Sequence, residues 1–129
     1  MSDKFTVEII SPEKSIIKSN TTEVILPSYE GEIGILKDHI PLITFLRPGL
    51  IKIINETKKI FIVEEGIVEF SNNNLIILSS TAKDKSDVDK KLINDLIIDT
   101  EKKIKSHETS DKEKYLLSHK IDTLKNINQ

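Results

Sequence analysis

The chain contains no cysteine. That excludes a disulfide framework and a thiolate metal centre and makes a reducing compartment the default expectation. No apolar run reaches 18 residues, so no helical membrane span is expected and any membrane association has to come through a partner. The opening Met1-Ser2-Asp3-Lys4 leads into no apolar targeting segment, so a leader is not expected either. Charge of one sign is also lacking: the formal net charge is -2, without the basic face that a nucleic-acid partner requires. Arginine is nearly absent, Arg47 being the single one, and the four glycines and four prolines all lie within the first 66 residues.

That confinement divides the chain. Isoleucine, leucine, valine and phenylalanine make up about a third of it, above the roughly 20% below which disorder is expected. Isoleucine leads, and its branched, stiff side chain favours strands. Phe5, Val7 and Ile9 alternate with Thr6, Glu8 and Ile10, the period of two of a half-buried strand. Further short strands are expected at Ile16–Ile17, Thr22–Leu26, Ile33–Leu36, Leu42–Leu46, Leu50–Ile54, Ile60–Val63, Ile67–Phe70 and Leu75–Ser79. Ser11-Pro12-Glu13-Lys14, a loop from Pro27 to Gly31, Asn55 to Lys58, Glu64-Glu65-Gly66 and Asn72-Asn73-Asn74 separate them, at the spacing of an all-β sandwich. The stretch from Glu30 to Gly49 carries Gly31, Gly34, Pro41, Pro48 and Gly49. A helix does not tolerate that punctuation, whereas short strands with tight corners do.

From Lys83 onward acidic and basic residues crowd the chain in near balance and the period becomes helical. Val88, Leu92, Leu96 and Thr100 recur every four residues, with Ile93, Ile97 and Ile104 widening the stripe. Ser86 is the expected N-cap, with Asp87 and Asp89 in the first turn. After a polar break at Ser106-His107-Glu108-Thr109, Ser110 to Glu113 has the spacing of a capping box. A second helix then carries Leu117, Ile121 and Leu124, with Leu116 and Ile127 beside them. The expected fold is α+β: an antiparallel β-sandwich of about eight to ten strands over residues 1–82, then a linker and an antiparallel two-helix hairpin over 83–129. Residues 81–87 form the linker.

The candidates for chemistry are few. His39, His107 and His119 stand at no metal-ligand spacing. Asp38 could orient His39 as a base towards Ser28, but adjacent residues of an extended chain face opposite ways, and there is no nucleophile elbow. His39 is then a surface loop residue or a partner contact. Glu30 and Glu32 flank Gly31, yet nothing nearby would raise one carboxyl selectively. They read as a solvated turn or a contact loop. No phosphate loop is present. Neither catalytic residues, a metal nor a cofactor is expected.

Gly31-Glu32-Ile33-Gly34-Ile35-Leu36, His39, Pro41-Leu42-Ile43-Thr44 and Pro48-Gly49 together resemble the signature of the epsilon subunit family of F-type ATP synthases. The mitochondrial counterpart is called delta. Phe61 to Gly66 and Leu78 to Ala82 continue the likeness. The family has Pro-Gly where this chain has Lys37-Asp38, and a small residue in place of Ile40, departures that alter a turn.

The resemblance implies a non-catalytic central-stalk rotor subunit of a proton-translocating synthase. Such a subunit links gamma to the membrane c-ring and sits peripherally on the cytoplasmic face of the bacterial inner membrane. It implies partner contacts at Tyr29, Glu30, Gly31, Glu32 and His39. The hairpin either packs on the sandwich or extends along gamma to meet the alpha/beta catalytic head and obstruct hydrolysis. Some family members bind ATP on the hairpin through an Ile/Leu-Asp-x-x-Arg-Ala motif. Here Val88-Asp89-Lys90-Lys91-Leu92-Ile93 holds that place, with Leu92 where the arginine would stand. Lysine cannot reproduce arginine's planar fork, so no high-affinity ATP site is expected. A reading from another class is a free-standing adaptor, a β-sandwich with a helical peptide-binding hairpin.

Overall fold

The computed structural model of the chain describes residues 3–105 and 110–127. The break at 106–109, with His107, and the side chain of Ile127 lie outside the described residues. Ten strands and two helices follow one another: β1 (Phe5–Ile10), β2 (Ser15–Thr21), β3 (Glu23–Ser28), β4 (Gly31–Leu36), β5 (Leu42–Leu46), β6 (Gly49–Ile54), β7 (Lys58–Val63), β8 (Gly66–Ser71), β9 (Asn74–Leu78), β10 (Lys83–Asp84), α1 (Lys90–Ile104) and α2 (Asp111–Ile127).

The strands are hydrogen-bonded in the order β10-β7-β6-β3-β5-β8-β9-β1-β2, with β4 on the free side of β3. Ser28 opposite Leu46 is the sole β3–β5 partnership among the described residues. The sheet therefore folds there into two layers. Phe5, Val7 and Ile9 of β1, Val68 and Phe70 of β8 and Leu75 and Ile77 of β9 face Val24 and Leu26 of β3, Ile35 of β4, Ile51 and Ile53 of β6 and Phe61 and Val63 of β7 in one core. Period-two burial along β1 and β6 is what the alternating sequence dictates. One pairing departs from the expected antiparallel sandwich: β1 runs parallel to β9. β2 returns along β1 as a hairpin, but seven strands, β2 to β8, separate β1 from β9, so no hairpin dictates the direction of that pairing.

Three local expectations are corrected. The loop expected from Pro27 to Gly31 shrinks to Tyr29 and Glu30, because Pro27 pairs with Glu32 and Ser28 with Gly31 in the β3–β4 hairpin. Gly31 makes this possible at φ 127°, a backbone that side chains rarely adopt, and the Ser28 hydroxyl donates to its carbonyl at 2.5 Å. Pro27 lacks an N–H, but its carbonyl accepts from Arg47 N–H at 3.0 Å. On the neighbouring strand β6, a Cβ on Gly49 would sit 2.5 Å from Pro27 Cβ, so that glycine is required by close approach.

The second correction concerns the first helix. The N-cap is Asp89, not Ser86: its carboxylate accepts from Leu92 N–H at 2.7 Å. Ser86 lies in a separate single turn of 3-10 helix, Lys85–Asp87, capped by Asp84. The Ser86 amide and hydroxyl, with Lys59 behind them, hold the Asp84 carboxyl below its usual range. The buried stripe of α1 is the third correction. Ile93 and Thr100 are buried, while Leu92, expected on the stripe, stays exposed. In α2, Ile121 and Leu124 are buried as the pattern implies, and the Ser110 hydroxyl accepts from Glu113 N–H at 3.2 Å.

Candidate functional site

Two surfaces carry more chemistry than the rest. The first is the outer face of the layer built from β5, β8, β9 and β1. Alternation sends Leu42, Thr44 and Leu46 of β5 inward and leaves Ile43 and Phe45 outside. Register sets Phe45 opposite Ile67, Ile67 opposite Leu78 and Leu78 opposite Ile10. Cross-strand partners point to the same face, so four apolar side chains form a row across four strands. Phe45 is 57% exposed and Ile43 72%. The row floors a groove of about 620 Å³ that Tyr29 and Pro12 close at the sides. A neighbouring row runs Ile43, Glu69, Ile76, Glu8. Contiguous apolar exposure rimmed by polar groups is the character of an interaction surface.

The second surface is the seam between the sandwich and the hairpin. Tyr115 of α2 stacks over Tyr29 at 6.5 Å between ring centres and donates its hydroxyl to the Tyr29 carbonyl at 3.3 Å. One turn on, His119 packs against Tyr115 at 4.6 Å and against Arg47 at 3.2 Å. Burial, then the Arg47 charge, hold the His119 imidazole below its usual pKa, while Asp122 works the other way. Lys120 pairs with Glu64 at 2.6 Å. A cleft of about 220 Å³ remains between Pro48, Ile62 and Val63 of the sandwich and Leu92, Leu96 and Leu124 of the helices. It is smaller than the usual ligand pocket of about 300 Å³ or more.

The expected contact residues separate into two groups. Tyr29, Glu30, Gly31 and Glu32 share the β3–β4 turn, with Glu30 and Glu32 exposed. His39 lies beyond the far end of β4, roughly 17 Å along that strand at ~3.4 Å per residue. It sits edge-on to Phe70 at 5.9 Å with Nδ1 against the Ile40 carbonyl. Asp38 does not orient it. Asp38 adopts φ 65°, a left-handed backbone that favours glycine and in which aspartate is among the better-tolerated other residues. It exchanges two hydrogen bonds with Asn73 at 2.7 and 2.9 Å.

Sequence reasoning missed Ile43, Phe45, Ile67 and Leu78. The available signal was that the β5 segment Leu-Ile-Thr-Phe-Leu is apolar on both faces. It equally missed the meeting of Arg47 with His119, 72 residues apart, and of Tyr29 with Tyr115, 86 apart, neither of which has a local signature. Among the described residues no group of three acidic, histidine or cysteine side chains could hold a metal. No helix of the described residues is long and apolar enough to cross a membrane.

Residues 4–85 match the family described as "ATP synthase, Delta/Epsilon chain, beta-sandwich domain". The ATP synthase epsilon chain of Pelagibacter ubique is 48% identical over 130 residues, covering 99% of this chain and 100% of that relative. The epsilon chain of Desulfitobacterium hafniense is 38% identical over 95 residues, 71% of this chain and 72% of that one. A chain of the Euglena gracilis mitochondrial ATP synthase, solved as an OSCP/F1/c-ring assembly, superposes with a TM-score of 0.82 at 15% identity, over 100% of this chain and 84% of the other. A chain of the Tetrahymena thermophila mitochondrial ATP synthase central stalk and c-ring gives 0.62 at 13% identity over 96% of each. At those identities the likeness to the two structures is one of fold. The chain belongs to the ATP synthase delta/epsilon chain family, as a non-catalytic, epsilon-type member.

Proposed function

We propose that the row Phe45, Ile67, Leu78 and Ile10 grips the gamma subunit and thereby ties the sandwich to the rotor. The observation that carries this is the apolar continuity of that row in register across four strands. The protein is a central-stalk subunit of an ATP synthase and supports synthesis without catalysing it. Tyr29, Glu30, Gly31 and Glu32 present a short polar turn to the c-ring. His39, at the other end of β4, contacts gamma. Association with the cytoplasmic face of the bacterial inner membrane comes through these partners.

The chain works as two units, the sandwich of residues 1–82 and the linker with its hairpin, 83–129. Lys83 and Asp84 pair with Ile62 and Phe61 of β7, so the part of the linker that swings begins at the turn Lys85–Asp87. Interfaces of ~600–1,500 Å² between domains permit such undocking. The hairpin, when extended, meets the catalytic head and restrains hydrolysis. Truncation after Asp87 should therefore raise ATP hydrolysis by the assembled enzyme, by roughly fivefold or more, the lower end of ordinary coupling between two sites. Unchanged hydrolysis would remove the inhibitory role.

A tagged chain pulled down from membranes should bring gamma and the catalytic head at fixed stoichiometry. Recovery without them would restore the free-standing adaptor.

A further inference from the structure

The chain's single arginine meets a histidine across the seam. Arg47 lies in the connection between β5 and β6, its backbone tied to β3 through the Pro27 carbonyl at 3.0 Å. Its Nη1 stands 3.2 Å from His119 Nδ1. A guanidinium has only donors and stays charged. His119 Nδ1 is therefore the acceptor, and an imidazole that accepts is neutral, with its proton on Nε2. The contact tolerates one protonation state only.

We infer that Arg47 and His119 form a proton-operated latch, which holds the hairpin on the sandwich while His119 is neutral and releases it when His119 is protonated. The groups around the ring are few. From the sandwich comes Arg47; beyond it, Tyr29 packs on Tyr115 and Glu64 is already paired with Lys120 at 2.6 Å. From α2 come Tyr115, Lys120 and Asp122, the last favouring the charged ring. The latch sits at the centre of the α2 contact. Tyr115, which packs on His119, also makes the stack and the hydrogen bond to Tyr29. Lys120, next in sequence, makes the ion pair.

The sign follows from linkage. In the docked state burial, then Arg47, depress the His119 pKa below 6.5. Once undocked, the ring leaves both and returns towards its ordinary value of about 6.5. The undocked state thus binds more protons at mildly acidic pH. Docking is strongest above about pH 6.5 and weakens as pH falls, by up to about tenfold per pH unit, until the docked ring itself titrates.

The absence of cysteine allows a spin-label pair at Lys58→Cys and Lys112→Cys in the full chain, read by electron-electron dipolar distance at pH 8 and pH 5.5. A single short distance is expected at pH 8, with a longer population growing at pH 5.5. His119→Gln keeps an acceptor for Arg47 and should lose the pH response. His119→Lys should show the longer distance at both values. A wild-type distance that does not change, or a pH response that survives His119→Gln, overturns the latch. Imidazole titration by NMR needs no variant: His119 in the intact chain should titrate below 6.5, and a value at or above it overturns the latch as well. The measurement uses the isolated chain, so its failure would leave the gamma-gripping face untouched.

Discussion

Phe45→Asp is expected to leave the isolated chain folded while cutting its affinity for gamma by roughly 30-fold to 1,000-fold. The ring is 57% exposed on the outer face of β5, so the substitution opens no cavity. Its cost to the fold is the poor strand propensity of aspartate, at most about 1 kcal/mol. At an interface the same change places a carboxylate against Ile67 and its partner's apolar surface. Aromatic anchors at the centre of an interface typically contribute 2–4 kcal/mol, which converts to that loss of affinity. Phe45 is the natural anchor, because it is the one aromatic in the row and its groove neighbours Ile10, Ile67 and Leu78 would form the surrounding ring. Lys58→Asp, at the start of β7 in the other layer, serves as control and should bind as the parent does. Titration calorimetry against purified gamma reads both. Equal affinities for parent and Phe45→Asp would move the interface off this face.

Phe70→Ala should destabilise the sandwich by about 3–5 kcal/mol, the usual cost of truncating a buried aromatic. The side chain is 1% exposed. Its ring meets Phe5 edge-on at 5.6 Å and His39 edge-on at 5.9 Å. Phe5 belongs to β1 and Phe70 to β8, on either side of β9, so one ring clamps three strands and the loop after β4. That breadth limits how far the site can collapse, which keeps the cost towards the upper end. Urea unfolding should show a lower midpoint with an unchanged slope. A loss below about 1 kcal/mol would mean that the neighbours close over the gap and that Phe70 is not the clamp. Helix content should fall little, because the hairpin contacts β6 and the β3–β4 turn instead.

Much of the sandwich was legible because its determinants are local. The alternation at Phe5–Ile10, the turn at Asn72-Asn73 and the breakers between Gly31 and Gly49 each act over a few residues, and each became the element expected. The hairpin turn at Tyr29–Glu30 was legible in outline and misjudged in length, since Pro27 suggested a loop. Proline is excluded from a ladder only where its N–H is needed, and at this position its carbonyl supplies the bond. Ser86 is the expected cap from residue preference and the acids that follow it. Three aspartates follow or precede it within three residues, and which of them caps depends on where β10 parts from β7, a tertiary matter.

The candidate site divides along the same line. Composition and order by themselves determined a glycine-cornered β head followed by a charged helical pair, and the motif between Gly31 and Gly49 pointed to the family. Register across β5, β8, β9 and β1 alone decided that Phe45, Ile67, Leu78 and Ile10 share a face, since side chains from four strands align only once the pairing is set. Packing alone decided that Arg47 faces His119. The two are 72 residues apart, and no local propensity carries information over such a separation. Only burial in a shared interface makes one residue's charge a condition on the other's proton.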